Sequence, residues 1–256
     1  MGSLGRSKRK HNLLGNHQKC WIWGRHAVVE TVNAARWPIL ELRVSESLDE
    51  TEQLAMSSSA ESQGIPFKVE PSHSLTKLCG TSEHQGYAAK MTEFPYSGIS
   101  EVFAANGGSQ RLAILDGIQD PYNFGSMIRS ACVLGLDGMI VADTNQCAVT
   151  SFVARTSAGA VNHLPIAQVD DWSDFTRRAK DASFRIYGTS PTDGEPIGSG
   201  TFAEKSAVVI GNEARGIGDE LLQHCDQLLS IPQKGQLDSL NASISAAILF
   251  YEMSRS

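Results

Sequence analysis

LDGIQDPYNFGSMIRSACVLG, residues 115–135, decides the reading of this chain. An apolar strand end gives way to a polar loop, and the loop to a helix that opens at Asn123. Asparagine is a good N-cap, and Gly135 is a good residue for the position just past a helix end. Phe124, Met127, Ile128 and Ala131 recur at i, i+3, i+4 and i+7 and form the buried stripe. Arg129 falls well away from that stripe. Asn123 and Arg129 are two polar side chains on either side of a tight Gly125. Taken alone, they read as a capped helix carrying a solvated arginine.

Outward from this stretch the chain alternates. RLAILD before it and GMIVAD after it read as strands, and a short helix follows over residues 151–160. LPIAQV, FRIYGTS, AVVIGN and QLLSIP read as further strands, residues 172–182 as a helix, and residues 240–253 as the closing helix. Alternating strands and helices of this kind predict a mainly parallel sheet covered on both faces. The front of the chain alternates too. Residues 26–35 have helical apolar spacing and ILELRVS alternates like a half-buried strand. Residues 49–63 read as a helix stopped by Gly64, PFKVE as a strand, residues 71–80 as a short helix, and residues 84–94 as a returning strand. The chain therefore divides into a basic tail (1–20), a small α/β domain (21–94), a linker (95–110) with one short helix, and a larger α/β domain (111–256).

Composition narrows the function. Hydrophobic residues make up 41% and charged residues 20% of the 256, ordinary for a globular protein. No apolar run approaches the roughly 20 residues of a membrane span, and the basic start has no apolar segment after it, so no secretory signal is read. Five scattered cysteines, with no CxxC pair and no His/Cys metal spacing, read as reduced thiols of a cytoplasmic protein. The net charge of −6 argues against broad phosphate binding. Its distribution softens that point. Residues 1–20 hold five basic and no acidic side chains, leaving 17 of the 22 basic residues against all 28 acids elsewhere. The tail reads either as an RNA-contacting arm or as a disordered terminus.

The usual nucleotide signatures are missing. There is no GxGxxG after a first strand, no GxxxxGK[ST], no HExxH and no GxSxG. Glycines cluster instead around the late strands, at Gly188, Gly211, Gly216, Gly218 and Gly235. Ligands of open α/β sheets sit beyond the carboxyl ends of strands, so a pocket is expected there. Two stretches carry polar residues into that region. VVIGNEARGIG (208–218) ends a buried strand at Gly211, where the lack of a side chain permits close approach to a ligand, and sets Glu213 at the mouth. SIPQKGQLDSLNASISAAILFYE (230–252) leads through a glycine loop to Ser239 and Asn241, both suited to capping the last helix.

Together the three stretches resemble the signature motifs of the SpoU (TrmH-type) RNA ribose 2′-O-methyltransferases, within the SPOUT superfamily. The resemblance runs over nearly the whole chain from Gly24. It implies a C-terminal SPOUT-type domain with a deep trefoil knot, and a homodimer that shares its active site across a two-fold axis. WGRHAVVE and HQGYAAK look like the edges of the small RNA-recognition domain of the family's bacterial ribosomal branch, which resembles ribosomal proteins. The implied cofactor is S-adenosylmethionine, held by Thr189, Gly211, Ile231 and Leu240. The implied catalytic pocket holds Asn123, Arg129, Glu213, Ser239 and Asn241, with no metal. Gln233 and Asp238 depart mildly from the family pattern.

The reaction so implied is methyl transfer to a ribose 2′-hydroxyl of RNA. ARTSAGAVNHLPIAQV and LDGMIV resemble the branch that acts on a guanosine of 23S rRNA. The alternatives are a tRNA 2′-O-methyltransferase and an inactive RNA-binding assembly factor on the same fold. A guanidinium is a poor resting base, so Arg129 is expected to bind a phosphate and to stabilise developing alkoxide charge.

Overall fold

The computed structural model describes residues 20–104, 108–190, 192–198, 200–235 and 240–255. The basic tail up to residue 19 lies outside them, as does Ser239. The small unit holds β1 (Trp21–Trp23), α1 (Arg25–Ala34), β2 (Ile39–Ser45), α2 (Glu50–Ser62), β3 (Phe67–Glu70), α3 (Ser72–Cys79) and β4 (Tyr87–Met91). Its sheet runs β1-β4-β2-β3, with β4 antiparallel to both neighbours and β2 parallel to β3. Local chemistry sets these bounds. The Asp49 carboxylate accepts from Glu52 N at the start of α2, and Gly80 ends α3 in the left-handed region.

Two features of this unit differ from the sequence reading. The three-residue β1 is too short to leave a periodic signal. The strand expected over residues 84–94 is confined to β4, because His84 is drawn into a buried turn where its Nδ1 accepts from Gly86 N at 3.0 Å.

The segment between the units is built into the core. The main chain of Ser97 bridges to the large sheet, and α4 (Ile99–Phe103) packs Val102 fully beneath it. Beyond it come β5 (Gln110–Asp116), α5 (Pro121–Val133), β6 (Gly138–Ala142), α6 (Ser151–Thr156), β7 (Ile166–Val169), α7 (Trp172–Asp181) and β8 (Arg185–Thr189). The chain closes with β9 (Glu195–Pro196), β10 (Lys205–Gly211), α8 (Asp219–Leu222), β11 (Gln227–Ser230) and α9 (Ala242–Ser254). The seven strands run β7-β6-β5-β10-β8-β11-β9, and every pair is parallel. β5 and β10 pair along their full lengths, which sets Asp116 opposite Gly211 at the sheet's carboxyl edge.

Apolar side chains fill both faces. Residues of α5, α6 and α9 share one core with the small unit, while α4, α7 and α8 cover the other face. The predicted stripe of α5 is buried: Phe124, Met127, Ile128 and Ala131 are fully enclosed. The helix starts earlier than expected. Asp120, not Asn123, is its N-cap; the carboxylate accepts from Tyr122 N at 2.7 Å and Pro121 occupies the first turn. Asn123 is thereby a residue of the first turn whose carboxamide is free for other work. The helix expected over residues 151–160 is also shorter. It stops at Thr156, where Ala158 and Gly159 take positive φ (51° and 86°) and a 3-10 turn follows. Among the described residues no helix is long and apolar enough to cross a membrane.

Candidate active site

The site is assembled from three segments at the carboxyl edge of the large sheet. The first is the start of α5. Gly125 is buried there, and a side chain on it would overlap Thr156 of α6. Thr156 Oγ1 also donates to Pro121 O at 3.2 Å, so the first turn of α5 is pinned to its neighbour. The second is the loop after β10. Asn212 organises it: its Oδ1 accepts from Ala214 N (3.0 Å) and Arg215 N (3.2 Å), and its Nδ2 donates to Gly117 O (2.8 Å). Its main chain pairs in both directions with Gly216, which takes φ of 69° to close the turn. Asp116 Oδ2 accepts from Gly218 N at 2.7 Å and ties the loop's far end to β5. Glu213 stands on this tethered loop. The third is the start of α9, where Asn241 is the N-cap.

These three carry one directed hydrogen-bond chain. Asn241 Oδ1 accepts from Ser243 N (2.9 Å), Ser243 Oγ (2.6 Å) and Ile244 N (3.4 Å). Its oxygen is therefore committed to the helix end, and its Nδ2 donates to Asn123 Oδ1 at 3.1 Å. The Asn123 oxygen is committed in turn, so Asn123 Nδ2 donates to Glu213 Oε1 at 2.7 Å. The cap of α9 thus dictates the orientation of both amides. The chain must end on a group that accepts, and a carboxylate accepts only. Glu213 Oε2 keeps no partner among the described residues.

Of the five residues expected to share a pocket, Asn123, Glu213 and Asn241 are brought together, and Ser239 lies outside the described residues. Arg129 is not joined to them. At about 100° per residue it sits about 240° around α5 from Asn123. It is exposed and makes no hydrogen bond or ion pair among the described residues. Asn212, Asp116 and Ser243 are the positioning residues that the sequence reading missed. Each has a polar side chain beside a turn or a helix start, which is a weak signal unless its distant partner is known.

Three of the four candidates for the cofactor, Thr189, Gly211 and Ile231, stand at or just past the ends of β8, β10 and β11, which are adjacent in the sheet. Thr189 Oγ1 donates to Val209 O at 2.9 Å. At Gly211 a side chain would overlap the Gly216–Ile217 backbone, so the glycine first of all serves the return of its own loop. Ile231 is half-buried, and its main-chain N–H and C=O have no hydrogen-bond partner among the described residues. Leu240 is exposed beside Asn241. A separate cavity of about 290 Å³ opens between the ends of β5, β6, β7 and β10, lined by Asp116, Asp143, Trp172 and Arg215. None of Thr189, Gly211, Ile231 and Leu240 is among its lining residues.

All five cysteines are free thiols, and burial pushes Cys79, Cys147 and Cys225 up to about 11, which disfavours a thiolate nucleophile. Among the described residues no group of three or more His, Cys, Asp or Glu side chains could hold a metal ion.

Known proteins resemble this chain in sequence and in fold. Residues 110–251 match the SpoU rRNA methylase family, and residues 21–97 match the RNA 2′-O ribose methyltransferase substrate-binding family. The chain is 29% identical over 243 residues to the TrmH family tRNA/rRNA methyltransferase YacO of Bacillus subtilis, covering 94% of this chain and 97% of the relative. It is 30% identical over 237 residues to a Staphylococcus aureus protein of the same description, covering 91% and 95%. In fold it is similar to the SpoU methyltransferase AviRb of Streptomyces viridochromogenes in complex with AdoMet, with a TM-score of 0.76, 23% identity, and coverage of 95% and 94%.

Proposed function

This chain belongs to the SpoU rRNA methylase family, and from that premise we propose that, as an S-adenosylmethionine-dependent RNA ribose 2′-O-methyltransferase, it modifies a guanosine of 23S rRNA. The observation that carries the reading is the hydrogen-bond chain from Asn241 through Asn123 to Glu213, which gathers one residue from each of three motifs at the sheet's carboxyl edge. The match of residues 21–97 to a substrate-binding family supports RNA as the substrate and residues 21–94 as the unit that grips it.

The strand ends fit an adenosyl ligand. β10, β8 and β11 are adjacent, and the free main-chain groups of Ile231 can serve as donor and acceptor. Thr189, Gly211, Ile231 and Leu240 would hold it. When bound, S-adenosylmethionine supplies a methyl group already activated on a sulfonium. The protein's own task is then alignment of the hydroxyl and disposal of its proton. The free oxygen of Glu213 is suited to accept from the ribose, while Asn123 keeps that carboxylate from rotating. Arg129 binds the adjoining phosphate and stabilises charge growing on the 2′-oxygen.

Arg129 reaches such a site most simply from a second copy. It shares a helix face with Val133 four residues on. Val133 on α5 and Ile244 and Tyr251 on α9 are large apolar residues exposed by 76%, 52% and 50%. A two-fold partner would cover them, and the homodimer is part of this reading. So is a knotted path, in keeping with the return of the chain from β11 to lay α9 on α5 and β10.

Methyl transfer from labelled S-adenosylmethionine to separated rRNA and tRNA lacking ribose methylation tests the reading. Label at one guanosine of 23S rRNA is the expected result. Label in tRNA would keep the chemistry and overturn the substrate. No label in either RNA, from protein that binds the cofactor, would favour an inactive assembly factor.

A further inference from the structure

A second cleft, of about 540 Å³, lies where the small unit meets α5 and α6. Trp23, His26 and Gln85 line it from one side, and Tyr122, Phe152 and Arg155 from the other. Its rings and charge form a continuous wall. The Arg155 guanidinium carbon lies 3.0 Å from the centre of the Trp23 ring and 5.4 Å from that of Phe152. The Tyr122 ring meets Phe152 edge-on at 4.8 Å.

Part of this wall is ordinary packing between two units, and the Trp23–Arg155 stack alone would need no other account. Tyr122 does not fit that account. The residue is 61% exposed, and its hydroxyl makes no hydrogen bond among the described residues. The backbone at the rim is also held out of its easy range: Gln85 and Ala158, neither of them glycine, take φ of 53° and 51°. Gln85 Oε1 accepts from Arg25 N at 2.9 Å, which leaves its amide N–H groups as unpaired donors at the rim. Open ring faces beside a guanidinium and amide donors are the chemistry that receives an unstacked base of RNA. Glu83, also at the rim, disfavours phosphates there and leaves a base as the better occupant.

We propose that this cleft seats one unstacked nucleobase of the RNA substrate on the ring of Tyr122, which Phe152 supports edge-on. The inference rests on the RNA methyltransferase reading and deepens it. Tyr122 directly precedes Asn123, so the seated base belongs to a nucleotide flanking the methylated one. The RNA is then gripped by both units at once. Because every base has a ring face, the seat selects for an unpaired neighbour rather than for a particular base.

The test uses short single-stranded RNAs carrying 2-aminopurine, whose emission falls on stacking, titrated into the full chain loaded with S-adenosylmethionine. Quenching is expected with the native protein and with Tyr122→Phe. Tyr122→Ala and Tyr122→Leu should bind the RNA roughly ten- to a hundredfold more weakly and lose the quenching, with cofactor affinity unchanged. Leucine keeps apolar bulk without a ring face, so it separates stacking from packing and serves if the alanine variant does not fold. Quenching absent at every labelled position, or undiminished in Tyr122→Leu, would overturn the proposal. Methyl transfer to rRNA and tRNA is assayed in parallel. Quenching without transfer keeps the seat and sinks the enzyme reading; transfer without quenching does the reverse.

Discussion

The Asn123 carboxamide donates to the Glu213 carboxylate at 2.7 Å, linking α5 to the loop after β10 across 90 residues of chain. The direction of this bond is inherited from Asn241, whose oxygen is occupied by the N–H groups of α9. Asn123→Asp should therefore be worse than Asn123→Ala. Aspartate sets a second carboxylate against Glu213 and cannot donate to it. We expect kcat/KM to fall about a hundredfold or more in the alanine variant and further in the aspartate variant. Equal losses, measured with cofactor binding intact, would show that the bond's polarity is immaterial.

Glu213→Gln keeps an oxygen for Asn123 and removes the charge. If the carboxylate handles the hydroxyl proton, turnover falls by about a hundredfold or more while S-adenosylmethionine affinity barely moves. Isothermal titration beside single-turnover kinetics reads both. Lost affinity with preserved turnover would make Glu213 a structural acid.

Asn241 has two roles that one pair of variants separates. Asn241→Ala removes the cap of α9 and should cost about 1 kcal/mol of stability as well as activity. Asn241→Asp still caps, with a favourable negative charge at the helix start, yet cannot donate to Asn123 Oδ1. Thermal unfolding should show the aspartate variant near native stability, and turnover should show it impaired.

Arg129 lies apart from Asn123, Glu213 and Asn241 of its own chain, and a role in the partner's site predicts complementation. Arg129→Ala and Asn123→Ala are each expected to be inactive alone. Mixed after unfolding and refolding together, they should recover about a quarter of native turnover, because half the dimers are mixed and each mixed dimer holds one intact site. No recovery would place Arg129 in its own chain's site. Arg129→Lys should remain impaired, since an ammonium lacks the planar pair of donors.

His84 makes the small unit sensitive to acid. It is 3% exposed, its Nδ1 accepts from Gly86 N, and its Nε2 pairs with Thr76 Oγ1. Burial holds its pKa below the ordinary value, opposed by a hydrogen bond to the Ser72 backbone. As pH falls below about 6.5 the unfolded chain takes up this proton first, so stability declines there and levels off below the folded-state pKa. Urea midpoints at about pH 7.5 and 5.5 should fall more for the native protein than for His84→Gln. Equal falls would assign the acid sensitivity to other groups.

The fold was legible because its signals are local. Apolar spacing along α5, the strand–helix alternation and the glycine stops at Gly64 and Gly80 are written within a few residues of where they act. Boundaries failed where a neighbouring side chain decided them. Asp120 outcompeted Asn123 as the cap of α5, and the positive-φ pair Ala158 and Gly159 cut α6 short. β1 was invisible because three residues carry no period.

The site divides along the same line. Resemblance to a family placed Asn123, Arg129, Glu213, Ser239 and Asn241 in one pocket, since each stands in a recognisable motif. The sequence by itself also identified the family, and with it the reaction. The direction of the hydrogen-bond chain, the clasp of Asn212 on Gly117, and the separation of Arg129 from Asn123, Glu213 and Asn241 came from the folded chain alone. Those relationships join residues about a hundred positions apart, and they exist only once β5 and β10 lie side by side in a parallel sheet. Local propensity carries no information about such pairings, because parallel neighbours are joined through crossovers whose order is settled by packing of the whole core.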